Sequence, residues 1–153
     1  MADAYITALA LLARRELAEA QLRTRLAKRK FEDDEIDAAL TRLKRERALD
    51  DRRTALASAH TQERIKHRGR ARVVRQVEAL GISRDIAREA VAEVFAELDE
   101  PALLEQALDR RLRHGLLLSD PVVFRRMHRY LLGQGFDPGQ VTALLRRRAR
   151  GNL

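Results

Sequence analysis

The sequence has no cysteine and no tryptophan, and only three prolines and seven glycines in 153 residues. Each shortage excludes something. Without cysteine there is no disulfide, iron–sulfur cluster, thiolate zinc site or cysteine nucleophile, a composition that fits a reducing compartment. So few prolines and glycines cannot supply the turn every ten residues or so that a β-sandwich needs. Aromatic residues make up 4%, so a core has to be built from Leu, Val, Ile and Ala. No apolar run approaches the roughly 18 residues of a membrane span. The N-terminal MADAYITALALLARRE carries an acid where a secretory signal would carry bases. Hydrophobic residues at 45% and charged residues at 35% suffice for a folded core. The expectation is a soluble, cytoplasmic, all-α monomer.

Charge is plentiful and uneven. The net charge is +8, and the excess lies in the last third, where 101–153 holds 10 basic and 4 acidic groups. Within the balanced middle, RIKHRGRARVVR (64–75) has six Lys/Arg and no acid, whereas 76–100 has seven acids against two Arg. A high-GC coding bias explains Arg over Lys, but not the retreat of the acids from 64–75. Such separation sets up a local field that the average conceals.

An internal repeat organises the rest. Taking Phe31, Ile82 and Phe136 as anchors and stepping back nine and five residues gives Leu22 and Leu26, Val73 and Val77, Met127 and Leu131. Stepping forward five and nine gives Ile36 and Leu40, Ala87 and Val91, Val141 and Leu145. All are apolar. Spacings of four on either side of a short break predict helix, turn, helix, with the anchor packing against both. Before each anchor stands Lys30, Gly81 or Gly135, the place where a helix C′ residue favours glycine. A further helix fits upstream of each pair. Its apolar residues are Tyr5, Ile6, Leu9 and Leu12 in the first unit, and Leu56, Ala59 and Ile65 within 52–66 in the second. Leu104, Leu108 and Leu112 recur in the third, with Pro101 at the helix start. Asp33 or Asp34, Ser83, Asp120 and Asp137 are candidate N-caps. The sum is nine helices in three units, 1–50, 51–98 and 99–153. Units of about 50 residues are marginal alone and are expected to support one another.

LLARRELAEAQLRTRLAKRKFEDDEIDAALTRLKRERALDD (11–51), RGRARVVRQVEALGIS (68–83) and RYLLGQGFD (129–137) together resemble the bacterial regulatory protein family RecX. The resemblance implies an elongated stack of three-helix repeats that binds the RecA recombinase filament in its groove. It also implies inhibition of RecA's ATPase and strand exchange, contact with single- and double-stranded DNA, and no catalytic residue. Homologous recombination, DNA repair and the SOS response are the implied setting. Two local departures stand out. The family's Ser-to-Glu capping box entering the second helix is replaced by Ala18 and Gln21, a loss of about 1 kcal/mol of cap stabilisation. Where an aromatic commonly follows Asp50–Asp51, this chain has Thr54.

Enzyme chemistry finds no footing. His60, His67, His114 and His128 form no His-x₃-His pair, and HExxH, GxxxxGK[ST] and Gly-x-Ser-x-Gly are absent. Gly133-Gln134-Gly135-Phe136 follows a helix rather than a strand and reads as a C-cap, not a phosphate cradle. No metal or cofactor is expected. Basic residues carry the positive hypothesis. Arg68, Arg72 and Arg75 share one helix face, and Arg72 and Arg75 correspond to Arg126 and Arg129 in the repeat. A stack would align these pairs into a stripe for phosphates or an acidic protein surface. The candidate RecA- and DNA-binding residues are Arg64, Lys66, Arg68, Arg70, Arg72, Arg75, Arg125, Arg126 and Arg129. Arg146, Arg147, Arg148 and Arg150 read as a frayed basic tail. Asp85, Glu89, Glu93 and Glu97 step by four, a mutually repulsive ridge that calls for a basic neighbour. That neighbour is either 64–75 of the same unit or a RecA protomer, the alternative being an ordinary solvated face with no partner. Two competing functions remain open: a tandem helix–turn–helix DNA-binding protein acting without RecA, and a helical scaffold for another protein.

Overall fold

A computed structural model describes residues 3–151. Among them are nine α-helices and no strand: α1 (Ala4–Arg14), α2 (Glu19–Lys28), α3 (Asp33–Arg45), α4 (Asp51–Arg64), α5 (Arg70–Glu78), α6 (Arg84–Phe95), α7 (Glu100–Arg111), α8 (Pro121–Gly133) and α9 (Pro138–Gly151). None is long and apolar enough to cross a membrane.

The repeated framework occupies equivalent places. Leu22, Leu26, Ile36 and Leu40 lie in one apolar cluster, Val73, Val77, Ile82, Ala87 and Val91 in a second, and Met127, Leu131, Val141 and Leu145 in a third. Phe31 and Phe136 are half-buried against the first and third clusters. The five-residue step has a backbone cause. The N–H of Phe31 bonds the carbonyl of Leu26, and that of Phe136 bonds Leu131, each at 3.3 Å. This is the six-to-one bond of a Schellman turn, whose two ends meet through apolar side chains. The residue between must be left-handed, and Lys30, Gly81 and Gly135 have φ of 67°, 88° and 96°.

Three local expectations need correction. In α1, Tyr5, Leu9 and Leu12 pack half-buried against the first cluster as expected, but the buried face is Ala4, Thr7, Ala8 and Leu11, turned toward α3, and Ile6 is 53% exposed. In α4, Ala55 and Ala59 are buried, whereas Ile65 falls at the C-cap and is 67% exposed. The N-cap of α3 is Glu32, whose N–H donates to Glu35 Oε2 at 3.1 Å, leaving Asp33 and Asp34 inside the first turn. There they favour the positive end of the helix.

The departures at Ala18 and Thr54 resolve into contacts between α2 and α4. Gln21 Oε1 accepts the Ala18 N–H at 2.9 Å, keeping half of the capping box. Asp51 Oδ1 accepts the Glu19 N–H at 2.8 Å from across the junction. The methyl of Ala18, fully buried, then joins Ala55 and Ala59 in the second cluster. Glu16 clasps the same junction, accepting from Arg53 Nε at 2.6 Å and from the buried Thr54 hydroxyl at 3.0 Å. Glu16→Ala is expected to cost about 1 kcal/mol, since the Thr54 hydroxyl keeps only backbone partners and the ion pair is half-exposed. Urea denaturation checks this, and an unchanged midpoint would rule the clasp out.

Candidate interaction surfaces

The candidate basic residues divide into engaged and free. At the N-terminus of α5 the helix leaves several N–H groups without partners, and its N-cap, Gly69, has no side chain to offer. Unit three fills the gap. The carbonyls of Gln134 and Gly135 accept from the Gly69 and Ala71 N–H groups at 2.7 and 3.2 Å. The C-terminal end of α8 thereby caps the N-terminal end of α5, and opposite dipole ends meet. Arg72 reinforces the joint by donating to Gln134 Oε1 at 2.5 Å and to the Gly133 carbonyl at 3.3 Å. Backbone approach is close enough that a Cβ on Gly135 would sit 2.3 Å from the Arg72 nitrogen. Arg72 is therefore a half-buried structural residue, not a member of a free stripe.

Its neighbours follow suit in part. Arg68 is half-buried and donates to Gln62 Oε1 at 2.6 Å; burial, then the Arg72 charge, lowers its pKa from the ordinary guanidinium value. Arg70 forms two parallel bonds to Glu100 at 3.0 and 3.1 Å and lies over the Phe95 ring. Arg64 and Lys66 are exposed where α4 ends. Arg75 is exposed and faces a groove between units two and three.

On α8, Arg125, Arg126 and Arg129 are all exposed. Arg125 and Arg129 flank a shallow depression floored by Phe124 and Leu132, with Arg146 of α9 on its far side. Phe124 and His128 stack with ring centroids 6.4 Å apart, and His128 Nε2 lies 3.3 Å from Thr142 Oγ1. Among the described residues no carboxylate lines this face. Arg126 does not line it. The structure thus brings Arg125, Arg129 and Arg146 together, and separates Arg75 from them into the groove.

Arg146 was hidden by the expectation of a frayed tail, which the structure corrects. Helix α9 continues to Gly151, with Arg147 paired to Glu105 and Arg148 to Asp109 of α7, each at 2.9 Å. The Asp109 hydrogen bond raises the pKa of Arg148. The signal that could have found Arg146 was the repeat itself, extended from the second helix of each unit to the third. On α6, Glu93 pairs with Arg52 of α4, so the basic neighbour within the unit is α4 rather than 64–75. Asp85, Glu89 and Glu97 are exposed.

A family model described as RecX, first three-helix domain, matches residues 4–43. The Regulatory protein RecX of Syntrophotalea carbinolica is 32% identical over 138 residues, spanning 88% of each chain. That of Thermus thermophilus is 39% identical over 139 residues, covering 90% of this chain and 86% of the relative. The crystal structure of RecX from Lactobacillus salivarius superimposes with a TM-score of 0.76 at 17% identity over 94% of this chain and 93% of that one. A second RecX crystal structure gives 0.78 over 94% of this chain and 71% of that one, at the same identity. The structural likeness establishes the tandem helical fold, and the relatives' identity across most of both chains establishes more: this chain belongs to the RecX family of regulatory proteins.

Proposed function

We propose that this chain is a non-catalytic modulator of the RecA recombinase. Its units lodge in the groove of the RecA–DNA filament, hinder the protomer movements that ATP turnover requires, and limit strand exchange. The observation that carries this reading is family membership across nearly the whole chain. Three units with boundaries near 50 and 98 give the reach to touch successive protomers. Arg125, Arg129 and Arg146 supply a carboxylate-free face for the phosphodiester backbone, with Arg64, Lys66 and Arg126 adding to the positive field. Asp85 and Glu89 are available to basic groups on RecA, and Glu93 once released from Arg52. On this reading the chain acts as a cytoplasmic monomer in homologous recombination and its SOS-linked control.

The test is RecA's ATPase on single-stranded DNA with increasing amounts of this protein. The expected result is a several-fold reduction at stoichiometric excess, and undiminished turnover would overturn the proposal. The cationic α8–α9 face also favours a second reading, a DNA-binding protein that acts without RecA. That reading requires sequence-preferring duplex binding by the chain alone. Against it, α3 and α6 open on Asp33, Asp34 and Glu35 and on Asp85, acids unsuited to a DNA groove. Mobility shifts on duplexes of varied sequence separate the two.

A further inference from the structure

The face between the second and third helices recurs in all three units with different chemistry. In unit three, His128, Arg129, Thr142 and Arg146 line it. In unit two the equivalent residues, 54 positions earlier, are Val74, Arg75, Arg88 and Ala92. In unit one they are Arg23, Thr24, Asp37 and Thr41, and an Arg23–Asp37 ion pair at 2.8 Å spans the face. In unit two the face is walled. Leu103 of α7 and Phe136 and Pro138 of unit three rise beside it and make a groove of about 850 Å³.

The groove has an apolar bed and an uneven rim. Val74, Leu103 and Phe136, all half-buried, lie along the bed with the exposed methyl of Ala92. Two rim arginines are occupied, Arg70 by Glu100 and Arg84 by Glu78. Arg75 on α5 and Arg88 on α6 are exposed and pair with no carboxylate among the described residues.

We infer that this groove receives an acidic segment of the partner protein, which sets an apolar side chain on the Val74–Phe136 bed and carboxylates against Arg75 and Arg88. The inference rests on the proposed RecA reading for the partner's identity. Charge placement decides the class of occupant. Glu78, Glu100 and Asp137 also line the groove. Glu78 and Glu100 are already paired with Arg84 and Arg70, so a nucleic-acid strand, charged on every nucleotide, would find Arg75 and Arg88 as the unspent cations and Asp137 opposing it. A peptide can put a neutral residue beside Asp137 and acids only where the free arginines stand. The carboxylate-free face of unit three has the opposite character, so neighbouring units present one surface for protein and another for phosphate.

The experiment titrates this protein, fluorescently labelled, with RecA filaments on single-stranded DNA and separately with single-stranded DNA alone. The variants are Arg75→Glu/Arg88→Glu and, as an independent probe at an exposed position of the bed, Ala92→Glu. Circular dichroism and melting temperature verify that each folds. The expected result is at least a tenfold loss of filament affinity in both variants, with affinity for DNA alone held within threefold. If the wild-type chain itself ignores the filament, the RecA reading falls and takes this inference with it. If the wild type binds and both variants bind within twofold of it, the groove inference alone is overturned. An equal loss on DNA alone would make the groove a nucleic-acid site. Self-association of the wild type in sedimentation, abolished by the variants, would make the occupant a second copy of this chain. Either result overturns the inference.

Discussion

Replacing Gly135 with alanine is expected to destabilise the protein by about 3–5 kcal/mol. Three costs combine. A left-handed φ of 96° costs an L-residue roughly 1–2 kcal/mol. The new Cβ would stand 2.3 Å from the Arg72 nitrogen, 2.5 Å from its Cβ and 2.9 Å from its Cα, so backbone rather than a flexible tip must give way. Overpacking of that kind costs about 1–3 kcal/mol. Any retreat stretches the bonds from Gly69 and Ala71 to the Gln134 and Gly135 carbonyls, each worth about 0.5–1.5 kcal/mol. Two other positions separate these contributions. Gly115 has φ of 85° but open space around its notional Cβ, so Gly115→Ala should cost only the backbone share, about 1–2 kcal/mol. Lys30 already endures the left-handed conformation, and Lys30→Gly should gain up to about 1 kcal/mol. Urea midpoints at constant m-value measure all three. Equal losses for Gly135→Ala and Gly115→Ala would show that the joint between units two and three is looser than the hydrogen bonds imply.

The second large effect concerns the α8–α9 face. If Arg125, Arg129 and Arg146 each neutralise a phosphate, the triple alanine variant should flatten the log–log salt dependence of single-stranded DNA binding by about 2, at roughly 0.7 per contact. Because that contribution vanishes on extrapolation to 1 M salt, the same arithmetic gives about a hundredfold weaker binding at 0.1 M. Arg147→Ala/Arg148→Ala is the control. It also removes positive charge, but from residues held by Glu105 and Asp109. A general field predicts comparable losses from both variants, whereas a defined face predicts a small one from the control. Fluorescence anisotropy between 50 and 300 mM salt distinguishes them, and parallel slopes for wild type and triple variant would dismiss the face.

The two predictions differ in how far sequence could anticipate them. The turn containing Gly135 was legible, because a Schellman turn imposes a five-residue step between apolar residues and leaves a glycine-favouring position before the second. The same constraint produced Leu26–Phe31, and in the middle unit the left-handed Gly81 before Ile82 keeps the spacing without the six-to-one bond, so the pattern was visible without coordinates. The first helices were less so. Thr54 and Ala18 were noticed only as departures; Glu16, which accepts from Thr54, lies in the loop between α1 and α2, and Asp51, which accepts from Glu19 beside Ala18, lies in α4. Arg72 and Arg75 looked alike as basic residues three apart, yet one holds a joint and the other stands free. Arg146 looked like tail, yet it borders a face shared with α8.

By itself the sequence determined the helices, their grouping around three apolar frameworks and the family, because these depend on periodicity, capping and turn chemistry acting over a few residues. Tertiary structure alone decided which charges remain available. An arginine's role depends on whether a carbonyl or carboxylate from another unit reaches it, and that distance is set by how the units dock. Where unit three seats Gly135 against α5, Arg72 is consumed, Arg75 is left at the edge of a walled groove, and the cations of α8 and α9 are kept on a face of their own.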